Sequence, residues 1–370
     1  MAPRRVTLKD VAATAGVSYQ TVSKVINHQV QVTEETNKRI WQAIEALNYR
    51  PSHIARALRS QRSFTLGYSW PPSPKDQTNP ILDQFLHSIF KAAEERGYYL
   101  LCFPYNADYK EHLETYGKLI DTGRVDGFIL SSVEYQDPRV LYLLGRNFPM
   151  VAFGRSNPEL VFPWIDVDGA AGIAMVMQHL LDLGHKRIAV LAWPESSRVG
   201  NDRMEGYFDA LKAARIEPLP CWICRGEGRF SFGLEATRQL LELPEDIRPT
   251  ALVALNDPMA IGAMQAAREH KLAIGDQLAI ASFDDTPMVQ YLDPPLTSVR
   301  QPVWEVGQRI IPMLLDYIES GRLPEPTSIL IKPQLIVRGS TGSQSSKQEG
   351  GSILTNRQTA LTSSMLTPEP

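Results

Sequence analysis

A short segment near the N-terminus carries polar and apolar side chains at helical spacing. Between residues 18 and 27, Val22, Val25 and Ile26 fall on one face of a helix, which leaves the polar residues on the other face. Glutamine can bond adenine edges, lysine can reach guanine, and short hydroxyl side chains can donate to phosphates. The candidate DNA contacts in this segment are Ser18, Tyr19, Gln20, Thr21, Ser23, Lys24 and Asn27. A solvated polar face is the competing interpretation.

Three polar residues farther along the chain are suited to binding a polyhydroxylated ligand. Arg203 is predicted to open a helix, while Asn256 and Asp284 each follow a predicted strand. A guanidinium can donate to ring and hydroxyl oxygens, a carboxamide both donates and accepts, and a carboxylate accepts from neighbouring hydroxyls. Each residue alone could be structural, but the three together indicate a ligand site.

Two tryptophans and an arginine complete the candidate ligand contacts. Trp70 and Trp193 are predicted at the ends of strands, where an indole can stack on a sugar face or pack against apolar neighbours. Arg155 also follows a predicted strand. The sequence leaves open whether Arg155 contacts the ligand or braces two parts of the protein against each other.

No pattern in the sequence predicts a metal site, a cofactor site or a catalytic centre. Cys221 and Cys224 form a C-x-x-C pair, but a zinc site needs two further ligands and no second pair is present. Neither a P-loop nor a dinucleotide-binding glycine motif follows a predicted strand. We therefore expect a protein without cofactor or metal that is not an enzyme, and the role of the two cysteines stays open.

Charge is divided unevenly along the 370-residue chain. Residues 1–63 hold ten Lys and Arg against four acids, a net charge of +6, whereas the remainder carries −9. A small basic segment on an acidic body suggests that the basic part binds a polyanion. No apolar run approaches the roughly 18 residues of a membrane span, and no signal peptide is evident. We expect a cytoplasmic protein with no membrane partner.

Three helices are predicted within residues 1–51, and they position the DNA-reading side chains. Thr7 can cap the first helix, Gly16 can end it, and the second runs from residue 19 to 27. Thr33 can cap the third helix, which stops at residues 48–51. Two capped helices joined by a short turn fit a helix-turn-helix. The polar segment 52–63 has helical spacing but is too short to form a stable helix alone.

Short apolar strands alternate with helices from residue 64 to residue 338. This α/β pattern predicts doubly wound parallel sheets in two lobes, with ligand loops at the carboxyl ends of the strands. The predicted strands are 64–69, 98–103, 126–131, 150–154, 187–193, 251–256, 278–284 and 328–337, and the predicted helices include 81–96, 169–183, 203–214, 258–270 and 303–320. The segment 339–370 is rich in Ser, Thr, Gly and Gln, and we predict that it is a disordered tail.

Several spaced motifs resemble those of lactose-repressor (LacI/GalR) family regulators. They are VTLKDVA at 6–12, AGVS at 15–18, TVSKVIN at 21–27, LNYRP at 47–51, ARAL at 55–58, GRVDGFI at 123–129, LGHKRIA at 183–189, DRMEG at 202–206 and PLTSV at 295–299. The resemblance implies a three-helix helix-turn-helix head and a two-lobed body with the periplasmic-binding-protein-like (type I) fold. It also implies that segment 52–63 is a hinge helix that folds on operator DNA, with Leu58 wedged into the minor groove. Thr7, Tyr49, Ala55 and Arg56 are further candidate DNA contacts.

These observations together predict a sequence-specific transcriptional regulator, most simply a repressor. The expected partners are a pseudo-palindromic operator in double-stranded DNA, a second copy of the chain and a small-molecule effector, most simply a sugar. A dimer is expected because the tail lacks a leucine-heptad helix. The operator-bound protein would lie at the bacterial nucleoid. A purine-type co-repressor sensor, a solute-binding protein without regulatory role, and an enzyme on the same lobes are the alternatives.

Overall fold

The computed structural model describes residues 6–26, 30–49, 62–70, 78–106 and 108–342. The chain divides into two compact units: Met1–Trp70 with Glu94–Phe128, and Pro71–Ala93 with Ile129–Pro370. None of the helices in the described residues is long and apolar enough to cross a membrane.

The described elements alternate between helix and strand after the first three helices. The helices are α1 (Leu8–Ala15), α2 (Tyr19–Ile26), α3 (Glu34–Ala46), α4 (Pro80–Glu94), α5 (Tyr109–Asp121), α6 (Pro138–Gly145), α7 (Gly169–Asp182), α8 (Arg198–Ala213), α9 (Phe230–Leu241), α10 (Asp257–Glu269) and α11 (Val303–Ser320). The strands are β1 (Thr65–Trp70), β2 (Tyr99–Pro104), β3 (Gly127–Leu130), β4 (Met150–Phe153), β5 (Trp164–Val167), β6 (Ile188–Ala192), β7 (Ile223–Arg225), β8 (Ala251–Ala254), β9 (Ala279–Asp284), β10 (Thr297–Arg300), β11 (Ser328–Ile331) and β12 (Gln334–Ile336).

Helices α1 to α3 enclose a small apolar core of their own. Val11, Val22 and Ile40, one from each helix, are completely buried together. Gly16 ends α1 with φ of 65°, a left-handed conformation that glycine adopts without strain. The chain can therefore turn sharply into α2, which sets the polar face of α2 away from this core.

The rest of the first unit contains β1, β2 and α5. Strands β1 and β2 pair in parallel, with Thr65 opposite Tyr99. The carboxylate of Asp126 accepts hydrogen bonds from the backbone N–H groups of Ser63 and Phe64, at 2.7 and 2.8 Å. These bonds fix the point at which the chain enters β1.

The strands belong to two six-stranded sheets, of which one lies entirely in the second unit. That sheet has the order β12-β10-β9-β8-β6-β7, and all its pairings are parallel except β10 with β12. Also within the second unit, β5 pairs in parallel with β4 and β11. The carboxyl ends of these parallel strands carry most of the candidate ligand residues.

The strand pattern of the sequence needs two corrections. The stretch 328–337, predicted as one strand, forms β11 and β12 in different sheets, because Lys332 and Pro333 interrupt it and proline has no N–H for a ladder bond. Strands β5, β7 and β10 lie outside the predicted strands. Each has only three or four residues, and none is a continuous apolar run like those of the equally short β3, β4 and β8.

The packed body extends to Gly342, so the predicted boundary at residue 338 falls too early. The Ser340 hydroxyl donates to the carbonyl of Ile280 at 2.6 Å and accepts the N–H of Thr297 at 2.8 Å. Ser340 and Thr341 are buried, and their hydroxyls form hydrogen bonds with backbone groups inside the body. The remainder of the predicted tail, 343–370, lies outside the described residues.

Candidate DNA-reading helix and ligand site

Helix α2 presents a polar face whose residues are free of the head's apolar core. Val22 and Val25 point into that core, whereas Gln20 and Lys24 are exposed and Tyr19 is 49% exposed. This split is the one that the sequence pattern predicts. It leaves long polar side chains available for the edges of base pairs.

Hydroxyl groups at the starts of α1 and α2 also form the helix caps. Ser18 Oγ accepts the N–H of Thr21 at 3.1 Å, and the two hydroxyls lie 2.8 Å apart. The N–H and hydroxyl of Thr7 both donate to the carboxylate of Asp10, at 2.8 and 2.7 Å. Each cap satisfies a group at a helix terminus. Contacts of Thr7, Ser18 and Thr21 with DNA remain predictions.

The other candidate DNA contacts are either partly buried or lie outside the described residues. Ser23 on α2 is half-buried, and Tyr49 is only 8% exposed because it packs into the core of the three helices. The predicted contacts Asn27, Ala55, Arg56 and Leu58, with the hinge segment apart from residues 62 and 63, lie outside the described residues.

Arg203, Asn256 and Asp284 are brought to one place by α8, α10 and β9. Arg203 lies in the second turn of α8, not at its start as predicted, because α8 begins at Arg198. The cap is the Ser197 hydroxyl, which accepts the N–H of Gly200. Asp284 is the last residue of β9, and Asn256 immediately precedes α10.

The Arg203 guanidinium is buried and held from several sides. Its carbon lies 3.7 Å from the centre of the Phe283 ring and 5.0 Å from that of Trp193, distances typical of cation–π contacts. Its Nη1 donates to the carbonyl of Leu255 and lies 3.5 Å from Asp284 Oδ1. Burial lowers the pKa of Arg203, and nearby carboxylates, above all Asp284, oppose that effect. These contacts fix the orientation of the planar guanidinium donor.

The Asp284 carboxyl group has a pKa close to neutral pH. Its backbone has φ of 118°, and its Oδ1 accepts a 2.7 Å hydrogen bond from Gln301. Burial raises the pKa of Asp284 to about 7, against the stabilising charge of Arg203 and the hydrogen bond from Gln301. Sequence reasoning missed Gln301. Gln301 directly follows β10, the parallel neighbour of β9, and β10 was not among the predicted strands, so the sequence pattern did not single it out.

Asn256 and Trp193 have structural contacts that the sequence did not indicate. Asn256 Oδ1 accepts the N–H of Met259 at 3.0 Å and caps α10, while its Nδ2 donates to the carbonyl of Gly228 at 2.9 Å. A Cβ on Gly228 would overlap the indole nitrogen of Trp193 and the amide nitrogen of Asn256. The absence of a side chain at Gly228 allows this close packing beside Arg203.

Arg155 braces elements of the second unit. Its Nε donates to Asp166 on β5 at 2.8 Å, and its Nη2 donates to Asp202 on α8 at 2.5 Å. Its guanidinium carbon lies 5.5 Å from the centre of the Trp164 ring. Burial lowers the pKa of Arg155, but the hydrogen bond and charge of Asp166 and the charge of Asp202 outweigh it and leave the pKa raised. Bracing is therefore observed, while ligand contact by Arg155 remains a prediction.

An open cavity of about 380 Å³ lies beside this brace. Its volume falls in the range of small-molecule sites, and its lining combines aromatic, hydroxyl and guanidinium groups. The lining includes Arg155, Ser156, Trp164, Arg198, Thr327 and Ser328. Trp70, the remaining candidate, ends β1 in the first unit, where its ring lies 6.1 Å from that of Tyr68.

Comparison with known proteins identifies the family. A family model described as bacterial regulatory proteins, lacI family, matches residues 7–52, and a periplasmic binding protein-like domain matches residues 177–341. The HTH-type transcriptional repressor CytR of Escherichia coli (strain K12) is 33% identical over 347 residues, which cover 90% of this chain and 96% of that protein. The chain belongs to the lacI family.

Solved structures of lacI-family proteins share the fold. A regulatory protein of the family from Chloroflexus aggregans is 52% identical, with a TM-score of 0.72 over 76% of this chain and 99% of that one. The lac repressor dimer bound to operator and an anti-inducer is 28% identical, with a TM-score of 0.77 over 92% and 100%. A complex of the transcriptional regulator CelR with cellobiose is 30% identical, with a TM-score of 0.68 over 91% and 100%.

LacI-family membership confirms the predicted fold class and the general function. The three-helix head is a helix-turn-helix, the body is α/β with two parallel sheets, and the chain is a DNA-binding transcriptional regulator. The roles of the individual candidate site residues remain predictions.

The cysteine pair does not form a disulfide in this lacI-family chain. Cys221 lies in a turn of 3-10 helix and Cys224 on β7, and both are free thiols. Burial raises the pKa of Cys224 to about 11, which disfavours its reactive thiolate form. Within the described ranges, no group of three His, Cys, Asp or Glu residues is arranged to hold a metal ion.

Proposed function

We propose that this lacI-family regulator is a repressor whose operator affinity is controlled by a small polyhydroxylated effector, most simply a sugar. The observation that carries the proposal is the arrangement of Arg203 and Asp284. A guanidinium fixed on two aromatic rings stands next to a carboxyl group that can accept or donate. Fixed donors and acceptors of this kind match the hydroxyl groups of a sugar ring.

The head supplies the contacts with DNA in this proposal. Gln20 and Lys24 read base edges in the major groove, and Tyr19 lies at the leading end of the same helix. Two heads of a homodimer bind the two halves of a pseudo-palindromic operator, and the lac repressor relative was solved as a dimer bound to operator. Leu58 of the hinge segment inserts into the minor groove at the central step of the operator, and Arg56 neutralises phosphates. The protein acts in the cytoplasm, at the nucleoid when it is bound to its operator.

The effector acts through its different affinities for two states of the body. Binding at Arg203 and Asp284 favours one arrangement of the lobes, and that arrangement changes the order of the hinge segment. The CelR relative was solved with cellobiose, which favours a sugar as the effector class. The chain performs no chemical step on the effector.

A thermal-shift screen tests the proposal. The full chain is melted with pentoses, hexoses, disaccharides, sugar phosphates, nucleosides and nucleobases. A ligand at ~100 times its dissociation constant adds about 2.7 kcal/mol of stability, which gives a clear shift. A sugar whose shift disappears in Asp284→Ala supports the proposal. A nucleobase shift with no sugar shift would replace it by a purine-type co-repressor sensor, and turnover of a bound sugar would replace it by an enzyme.

A further inference from the structure

Two loops, which follow strands β3 and β4, form hydrogen bonds with the N-terminal part of α8. Residues 131–137 follow β3, and residues 154–163 follow β4. Polar groups of both loops form hydrogen bonds with residues 197–202, the segment that begins α8. All these residues belong to the second unit.

Glu134 supplies an acceptor to the start of α8. Its Oε2 accepts the N–H of Arg198 at 2.5 Å, and its Oε1 lies 3.5 Å from the hydroxyl of Ser197. Arg198 is the first residue of α8, so its N–H has no acceptor within the helix. A carboxylate at this end also interacts favourably with the helix dipole. Glu134 thus completes the cap that Ser197 begins, from a different part of the chain.

Contacts from the second loop hold Arg198 and Asp202 of the same helix. Arg155 donates to Asp202 at 2.5 Å, and the neighbouring carbonyl of Ser156 accepts from Nε of Arg198 at 3.4 Å. The side chains of Arg155 and Asp202 are 18% and 10% exposed. An ion pair so far removed from water is screened little and holds its geometry well.

The fastened turn leads directly to the ligand site. Asp202, which receives Arg155, immediately precedes Arg203 in α8. A Cβ on Gly169, the first residue of α7, would lie 2.9 Å from Cγ of Arg203 and 3.2 Å from Oδ2 of Asp202. The helix therefore has little room at this point. Because Arg203 lies five residues after Arg198 in the same helix, the position of the first turn helps to set the position of its guanidinium.

We propose that Glu134 and Arg155 are positioning residues, which fasten α8 to the loops after β3 and β4 and thereby hold Arg203 against Phe283 and Asp284. Neither residue needs to contact the effector to set its affinity. The effector role of Arg203 rests on the proposed function, but the positioning itself does not. The contacts of Glu134 and Arg155 with α8 can be measured without an effector.

Two ligand-free readouts test this on the full chain. Hydrogen exchange resolved at the Arg198 amide reports its bond to Glu134. NMR of arginine side chains reports the position of Arg203, since the ring current of Phe283 displaces its resonances. Glu134→Ala should make the Arg198 amide exchange about fivefold faster or more. It should also move the Arg203 resonances toward those of a solvent-exposed arginine.

Conservative and matched variants separate positioning from general damage. Glu134→Gln keeps an oxygen acceptor and should restore most of the protection and the Arg203 resonances. Arg155→Lys cannot bridge Asp166 and Asp202 at once, so it should move the Arg203 resonances without exposing the Arg198 amide. Glu195→Ala removes an exposed acid near the same helix, 83% exposed at its side chain, and should change neither readout.

Each outcome decides the proposal. Unchanged exchange at Arg198 in Glu134→Ala would show that the cap is not made, and faster exchange with fixed Arg203 resonances would show that it does not position Arg203. Either result overturns the inference even if a sugar binds. If the readouts respond as expected while no compound of the screen binds, the positioning stands and the proposed function fails.

Discussion

Replacing Asp284 by an uncharged residue should make the free energy of unfolding depend less on pH. Asp284→Asn keeps the shape of the side chain and an oxygen that can accept from Gln301. The native carboxyl has a pKa of about 7 in the folded chain because it is buried, whereas an aspartate in an unfolded chain has a pKa of about 3.9. The folded state therefore binds a proton that the unfolded state has already released.

This difference has a definite sign and size. The stabilisation by the bound proton is fully present below about pH 4 and is lost as the pH rises through about 7. Across the whole interval, a gap of about 3 pH units corresponds to about 4 kcal/mol. Between about pH 5.5 and pH 8.5 the expected loss is about 2 kcal/mol. Asp284→Asn cannot lose this contribution, because its carboxamide does not titrate.

Urea unfolding at these two pH values measures the effect as a difference between proteins. Other buried acids also titrate, and those that do not interact with Asp284 contribute equally to both chains, whereas Asp257 does interact with Asp284. Relative to the native chain, Asp284→Asn should gain about 2 kcal/mol from the lower to the higher pH. Asp276→Asn, a change at an exposed loop acid, should parallel the native chain. Equal pH dependence of Asp284→Asn and the native chain would refute the burial argument for Asp284.

Three further predictions concern the DNA-reading face and the packing of α8. Gln20→Ala should weaken the preference for one base at one operator position by about 1–3 kcal/mol, measured as binding to operators with single-base changes. Gln42→Ala, on the exposed face of α3, should leave this preference unchanged. Equal base preference in the two variants would show that Gln20 does not read a base. Operator affinity should fall steeply between ~50 and ~200 mM salt, and a flat titration would exclude multiple phosphate contacts. Gly206→Ala should destabilise the chain by at least about 1–3 kcal/mol in thermal unfolding, because its Cβ would overlap the carbonyl oxygen of Ala170. Gly145→Ala, which meets no neighbour within 4 Å, should be neutral or stabilising, and similar melting of both variants would contradict this packing.

Local signals made the head predictable from the sequence. The cap residues Thr7, Ser18 and Thr33 and the left-handed Gly16 act within a few residues of their helices, so their effects follow from spacing alone. The last long helix, α11, was predicted with both its ends. Its apolar residues recur at helical spacing, and Gly321 follows it in the left-handed conformation.

The contacts within the ligand site depend on the fold and could not be predicted. Arg203, Asn256 and Asp284 could be selected because each stands near the end of a strand or the start of a helix. The ring of Phe283 against Arg203 and the bond from Gln301 to Asp284 join elements distant in sequence. No local pattern encodes such pairs. The same holds for Glu134, which caps a helix more than 60 residues away.

The role of Arg155 could be predicted only in part from the sequence. The sequence placed it after a strand and left two roles open. The structure gives it two carboxylate partners, Asp166 and Asp202. Choosing between the roles required knowing which acids the fold brings near, and neither acid is close to Arg155 along the chain.

The central claim is that a ligand held at Arg203 and Asp284 changes the affinity of the head for DNA. The most direct test selects a duplex from a randomised pool with the full chain, then titrates it by fluorescence anisotropy with and without the sugar found in the thermal-shift screen. Saturating sugar should change the dissociation constant of the DNA about 5- to 150-fold. Arg203→Met should bind the same duplex but respond to the sugar weakly or not at all. An unchanged DNA affinity in the native chain, with sugar binding verified in the same sample, would contradict the account.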